Sequence, residues 1–330
     1  MKKLINDPAR YVDEALEGLC LAFPGYRRTG STKRVIARTT GPVKGRVGVV
    51  TGGGFGHLPV FAGYVGKGLL GACAVGDVFA GPPVQVCSEA IRAADGGAGV
   101  LCVLGNYGGD RMSFAHACEE FEDDGGRTAT VIVADDVASA APAERAKRRG
   151  VAGMIFAFKA AGAAADEGGS LDRVKEVARN VAERTRSIGV ALSPCLIPGA
   201  AAPGFSVEEG QMELGMGIHG EPGVERSALD RADGVAAAMV ERLLADRGVQ
   251  GGRVALLVNS LGATPLEELL IVFRAAQKRL ADAGVEVAQR YVGHYATSME
   301  MAGCSLSIVE LDAEIERLLT GSTDCPFWPR

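Results

Sequence analysis

Short apolar runs alternate along this chain with longer stretches in which apolar positions return every three or four residues. Residues 46–50, 100–104 and 128–134 read as short buried strands, with helices over 84–94 and 111–122 between them. Asp7-Pro8 opens a helix to about residue 21, with Pro8 at its first position and Asp7 as its cap. Helical periodicity returns over 151–165 and 170–186, the latter capped by Ser170 with Asp172 in its first turn. A strand over 188–196 then leads into a Pro/Gly/Ala-rich stretch, 198–203. Helices over 234–245 and 264–283 and strands over 253–259, 285–292 and 304–311 complete the pattern. The order predicts the α/β class: two α/β domains, 1–187 and 188–330, each a sheet flanked by helices. No internal repeat and no low-complexity tract interrupts it.

Composition narrows the functional classes. Of 330 residues 47% are apolar, 5% aromatic, and 46 are glycine, about double the usual share and gathered in clusters. A net charge of −5 argues against nucleic-acid binding, which needs a basic stripe. The one basic cluster, Lys147-Arg148-Arg149, reads as a solvated loop or helix end. Eight scattered cysteines without a Cys-x-x-Cys pair read as small buried hydrophobes in a reducing compartment. The opening residues lack the apolar core of a signal peptide, and no apolar stretch is long enough to cross a bilayer. The expectation is a soluble cytoplasmic protein.

Three segments carry candidate chemistry. Thr51-Gly-Gly-Gly-Phe-Gly-His57 follows a strand, where open α/β sheets bind ligands, and its glycines would let backbone N–H groups approach a hydroxyl or phosphate. It is neither a Rossmann fingerprint nor a Walker A loop. Asn106-Tyr107-Gly108-Gly109-Asp110 follows the next strand; Asp110 reads either as a proton-accepting carboxylate or as a helix N-cap. Gly215-Met-Gly-Ile-His219-Gly-Glu-Pro-Gly223 displays His219 among glycines, a turn histidine or a ring offered to a ligand. His116 reads as a helix-face residue and His294 as a strand end. No metal-ligand spacing and no Gly-x-Ser-x-Gly elbow is present, so no metal is expected.

With these loops the chain resembles the substrate-binding (K) subunit of dihydroxyacetone kinases from end to end. The resemblance is carried by Lys2-Lys3-Leu4-Ile5-Asn6-Asp7, Gly52-Gly53-Gly54-x-Gly56-His57-x-Pro59 and Asn106-Tyr107-x-Gly109-Asp110. It continues through Glu213-x-Gly215-x-Gly217-Ile218-His219-Gly220-Glu221-Pro222-Gly223 and Val258-Asn259-x-Leu261-Gly262-Ala263-Thr264-Pro265. The resemblance implies that His219 holds the ketone carbon of the substrate as a hemiaminal. It implies His57 as the acid/base at the hydroxyl to be phosphorylated, and Asp110 as the carboxylate that deprotonates or orients that hydroxyl. Backbone groups of Gly54, Phe55 and Gly56 would line the substrate. The family's nucleotide site lies on a separate helical L domain or subunit, so ATP or ADP with Mg belongs to a partner, fed directly or through a phosphotransferase-system phosphodonor protein. The chain is expected to bind no cofactor itself, to form a homodimer, and to set its site where the two domains meet.

Departures from the family pattern bear on the substrate. Phe55 stands where serine is common, Leu58 where glutamate is, Gly105 where lysine is, and Gly108 where serine or threonine is. The two glycines would widen the site and Phe55 would fill it from another side, so the ketose is either dihydroxyacetone or a longer one such as erythrulose. A non-catalytic ketose-binding regulatory protein is the competing class.

Overall fold

The computed structural model describes residues 2–247 and 251–328. Its frame is two six-stranded sheets. The first contains β1 (Tyr26–Thr29), β2 (Val35–Arg38), β3 (Gly48–Phe55), β4 (Ala72–Val78), β5 (Val100–Gly105) and β6 (Thr128–Val133), in the order β1-β2-β4-β3-β5-β6. The four strands β4, β3, β5 and β6 run parallel, and β2 and β1 extend the edge antiparallel. The second contains β7 (Thr185–Ala191), β8 (Gln211–Leu214), β9 (Glu225–Ala228), β10 (Arg253–Ser260), β11 (Glu286–Gly293) and β12 (Gly303–Glu310), in the order β11-β10-β12-β7-β8-β9. Only β10 and β11 pair in parallel there.

Helices α1 (Tyr11–Ala22), α2 (Val84–Ala94), α3 (Gly108–Asp123), α4 (Met154–Asp166), α5 (Leu171–Arg184), α6 (Ala232–Arg247), α7 (Leu266–Asp282) and α8 (Ala313–Thr320) cover the sheets. The period-two alternation of strand side chains assigns the faces. Val50, Ala72 and Cys102 pack on α2 and α3, whereas Val49, Cys73 and Leu101 pack on α4 and α5. In the second sheet Val254, Leu256 and Val258 face α6 and α7, and Ala255 and Leu257 turn to the same apolar cluster that holds α4 and α5. The layers therefore run helices, sheet, helices, sheet, helices, with α4 and α5 shared between the sheets. Alanines 157, 160, 161 and 164 keep α4 thin enough to be buried almost all round.

Both α/β units expected from the pattern are present, with local corrections. Asp7 does cap the first turn, its carboxylate accepting the Ala9 N–H at 2.9 Å. The strand expected over 188–196 begins at Thr185, so residues 185–187 already belong to the second sheet. The edge strands β1 and β2, strand β4, the hairpin β8-β9 and α8 escaped the sequence reading. Gln211–Leu214 and Glu225–Ala228 are short and mostly polar, and pair only because β7 supplies an edge. Among the described residues no helix is long and apolar enough to cross a membrane.

Candidate active site

The glycine-rich segment before His57 is mainly strand: β3 runs through Gly52, Gly53 and Gly54 to Phe55. Its glycines make room for aromatic rings and their backbone. A Cβ on Gly52 would meet the Phe114 ring at 2.7 Å, one on Gly53 the Phe61 ring at 2.4 Å, and one on Gly54 the Phe79 backbone at 2.9 Å. At Gly56, where φ is +106°, a Cβ would strike the Phe79 ring at 2.8 Å. That packing by itself requires glycine at these positions, whether or not their backbone also approaches a ligand. Phe61, Phe79 and Met299 all adopt left-handed backbone (φ +70°, +55° and +54°) around the same turn, a costly conformation that surrounding structure must enforce.

These rings prepare His57. Its imidazole is buried, stacked on Phe79 with centroids 4.9 Å apart and edge-on to Phe61 at 6.1 Å. Nδ1 donates to the Thr297 carbonyl at 2.7 Å, which leaves Nε2 as the unprotonated nitrogen. Nε2 is buried with no hydrogen-bond partner. Burial, reinforced by the neighbouring His219, pushes the ring's pKa down to about 3. His57 is thus a neutral base whose lone pair is held dry.

His219 is prepared differently. The loop that carries it joins β8 to β9, and its side chain remains 22% exposed. Its backbone N–H donates to Glu221 Oε2 at 3.0 Å and its Nδ1 to Glu221 Oε1 at 3.0 Å. That pairing again directs the free lone pair to Nε2. Although burial opposes it, the His219 hydrogen bond and charge, with help from Arg149, hold the Glu221 pKa down at about 2. The His219 ring stands edge-on to His57 and to Tyr107, each with centroids 4.7 Å apart. A single segment joins the two histidine loops: Met299 N–H donates to Gly56 O at 2.8 Å and Ser298 Oγ to Ile218 O at 2.5 Å. Asn259 anchors that segment, accepting the Tyr295 and Ala296 N–H groups on Oδ1.

Asp110 lies in the first turn of α3, which begins at Gly108, so it is not the N-cap. Its Oδ1 is buried without a partner, lying where a Cβ on Gly81 would be 2.4 Å away. Burial raises its pKa to about 6, and the nearby His219 opposes the rise. The arrangement gathers two imidazoles whose Nδ1 atoms are hydrogen-bonded away from the site and a carboxylate near its titration point. It can tether an electrophilic carbon and take a proton from a hydroxyl.

Comparison with known proteins identifies the family. A Dak1 domain matches residues 17–327. The chain belongs to the Dak1 family. The D-erythrulose kinase of Mycolicibacterium smegmatis is 43% identical over 331 residues, covering 100% of this chain and 57% of that protein. The chain thus spans little more than half of that relative's length. The dihydroxyacetone-binding subunit DhaK of the PTS-dependent dihydroxyacetone kinase 2 of Listeria innocua is 41% identical, with 99% of each chain covered. The crystal structure of the dihydroxyacetone kinase of C. freundii superposes with a TM-score of 0.90 at 34% identity, covering 99% of this chain and 60% of that one.

Within this Dak1 fold the structure brings His57 and His219 together and sets Asp110 in their electrostatic reach. Of the departures, Phe55 packs its ring against Tyr11 in the central core, while Phe79 is the ring that faces His57. Gly105 does not open space, because a Cβ there would meet Met154 Sδ at 3.0 Å and the Tyr107 ring at 3.2 Å. Gly108 does border open space. Of the basic cluster only Lys147 is solvated, at the end of a short 3-10 helix. Arg148 is fully buried, paired with Asp246 at 2.5 Å, and Arg149 is largely buried beside Asp136. Phe79, Thr297 and Arg149 were missed as site residues, and only the sequence order Gly-Glu-Pro-Gly after His219 hinted at Glu221. Among the described residues no group of three or more His, Cys, Asp or Glu could hold a metal.

Proposed function

We propose that this chain holds a short ketose covalently on His219 and presents its hydroxyl for phosphorylation, as the substrate-binding half of a ketose kinase. The observation that carries the reading is the pair of imidazoles 4.7 Å apart, each with its Nδ1 donating away and its Nε2 lone pair free. His219 Nε2 attacks the ketone carbon, forming the N–C bond as the carbonyl π pair moves to oxygen, which takes a proton from water. Glu221 accepts the Nδ1 proton or shares it, so the adduct need not carry a full imidazolium charge. His57 Nε2 or the Asp110 carboxylate then takes the proton of the hydroxyl that attacks the phosphoryl group. Positioning and charge supply most of the catalysis in such transfers.

Asp110, His57 and His219 are the proposed catalytic residues, with the backbone of Gly54, Phe55 and Gly56 beside the substrate. A nucleotide-carrying partner, as separate subunit or further domain, delivers the phosphoryl group from ATP or from ADP recharged by a phosphodonor protein. The family and the name of the dihydroxyacetone-binding relative support this division. The eight free cysteines support a reducing, cytoplasmic setting, and a homodimer is the proposed assembly.

The erythrulose kinase relative favours a second substrate reading, a four-carbon ketose. Carbon-13 NMR with carbonyl-labelled dihydroxyacetone and with erythrulose tests both. Loss of the ketone signal in the parent but not in His219→Ala supports the tether, and the sugar bound more tightly names the substrate. A ketone signal unchanged by the parent with either sugar overturns the reading.

A further inference from the structure

The strap 146–150, between β6 and α4, touches both the segment leading to Asp110 and the loop carrying His219. Asn106 Nδ2 donates to the carbonyls of Ala146 and Arg148 at 2.9 and 2.7 Å. The Tyr107 hydroxyl donates to Gly150 O at 3.0 Å. The strap thus seats the segment that leads to Asp110. Arg149 reaches the other way, into the second unit. Its Nε donates to Asp136 Oδ2 at 2.8 Å, and its Nη2 lies 2.7 Å from that oxygen and donates to Gly215 O at 2.8 Å. Its Nη1 stands 4.0 Å from Glu221 Oε2. Gly217 makes room for this meeting, since a Cβ there would lie 2.1 Å from Glu221 Oε2 and 2.5 Å from Arg149 Nη1. Glu221 in turn holds the Nδ1 of His219.

We propose that Arg149 is a positioning residue that fixes Glu221, and through it the tautomer and charge of His219, across the junction of the two sheets. The role rests on the reading of His219 as the reactive nitrogen. The guanidinium fork suits it: one edge is fixed by Asp136, one donor grips the backbone where the His219 loop begins, and one donor faces Glu221. The balance of charge explains why a cation is placed there. An isolated Glu221 carboxylate would stabilise an imidazolium at His219, which has no lone pair to attack with. Arg149 offsets that carboxylate and favours the neutral ring. The other titratable or charged groups facing this cluster are His57, Asp110 and Tyr107 around the ring and Asp136 behind Arg149. Tyr107 feels the charges of both Glu221 and Arg149, but burial raises its hydroxyl pKa and keeps it neutral across the pH range of the test, and His57 feels Glu221 as well.

The test follows the His219 ring by 15N NMR in the ligand-free protein, its signals identified by their absence in His219→Ala. Arg149→Gln keeps a donor toward Asp136 or Gly215 but removes the charge. Its His219 titration midpoint is expected to rise by about one pH unit, with fewer molecules in the Nδ1–H tautomer. Arg149→Lys keeps the charge without the fork and is expected to shift by less than half as much. Adduct formation with labelled ketose at pH 6.5 should fall about tenfold in Arg149→Gln and recover at higher pH. A Gln variant that titrates like the parent, or Lys and Gln variants that shift equally, overturns the role. If the titration shifts as expected while the parent forms no ketose adduct, the positioning role stands and the ketose tether falls.

Discussion

His57 and His219 are the same side chain prepared in opposite ways. His57 is sealed among aromatic rings, hydrogen-bonded to a backbone carbonyl, and held neutral in the resting state by burial. His219 is partly open, hydrogen-bonded to a carboxylate, and set at the end of an ionic chain through Arg149 to Asp136. A carbonyl acceptor orients a ring without stabilising its charge, whereas a carboxylate does both. The first arrangement suits a base that is neutral at rest and takes a proton only when substrate presents one. The second suits a nucleophile whose adduct develops positive charge.

The strongest way to break this contrast is to remove each ring. His219→Ala should abolish the ketose adduct and all turnover with a nucleotide partner. His57→Ala should retain the adduct and lose about 10²–10⁴ in turnover. If His57→Ala also loses the adduct, the two rings do not divide the work as described.

Next comes Asp110, which separates function from stability. Asp110→Asn should cost turnover about 10²–10⁴. Its carboxyl titrates near 3.8 in the unfolded chain and about 6 in the folded one, so the folded protein holds the proton more tightly. The stability this lends is present at low pH and lost as pH rises through 6. The charged form therefore burdens the fold at pH 8 by up to about 3 kcal/mol. Thermal denaturation should find Asp110→Asn more stable than the parent at pH 8, with the difference closing toward pH 4. Equal melting at both values would remove the buried, unpartnered carboxylate from the account.

A smaller effect is expected at Glu221. Glu221→Gln keeps an acceptor for Nδ1 but removes the charge, and adduct formation should slow about tenfold to a hundredfold. Because the carboxyl titrates at about 2, Glu221 stays ionised in the parent between pH 5 and 8. Any pH dependence of the loss in that range therefore comes from groups other than its own titration. The smallest change is Phe79→Leu, which exchanges the stacked ring for a shape that admits water. The His57 titration midpoint, followed by NMR, should then move up from about 3 by about one to two units. An unmoved midpoint would show that burial by other groups suffices.

How much of this was legible in the sequence varies by residue. The strand cores 100–104 and 253–259 and the helix over 84–94 follow from apolar periodicity, and each lies within one residue of its observed start. The three reactive residues stood out because family motifs carried them. Arg149 was misread because a run of three basic residues looks the same whether water or buried carboxylates surround it. Phe79 was invisible because nothing local marks an aromatic residue held at positive φ. The glycines before His57 were seen, but nothing local showed that the rings of Phe114 and Phe61 and the backbone and ring of Phe79 leave no room for a Cβ there.

The sequence by itself determined the α/β class, the order of most buried strands and helices, and the identity of the histidines and carboxylate. Periodicity and residue type are local properties, readable a few positions at a time. The tertiary structure alone decided which atoms meet: Thr297 with His57, Arg149 with Asp136 and Gly215, and His57 with His219. Those contacts join segments distant in the chain. Through them desolvation and directed hydrogen bonds make one imidazole enclosed and leave the other accessible.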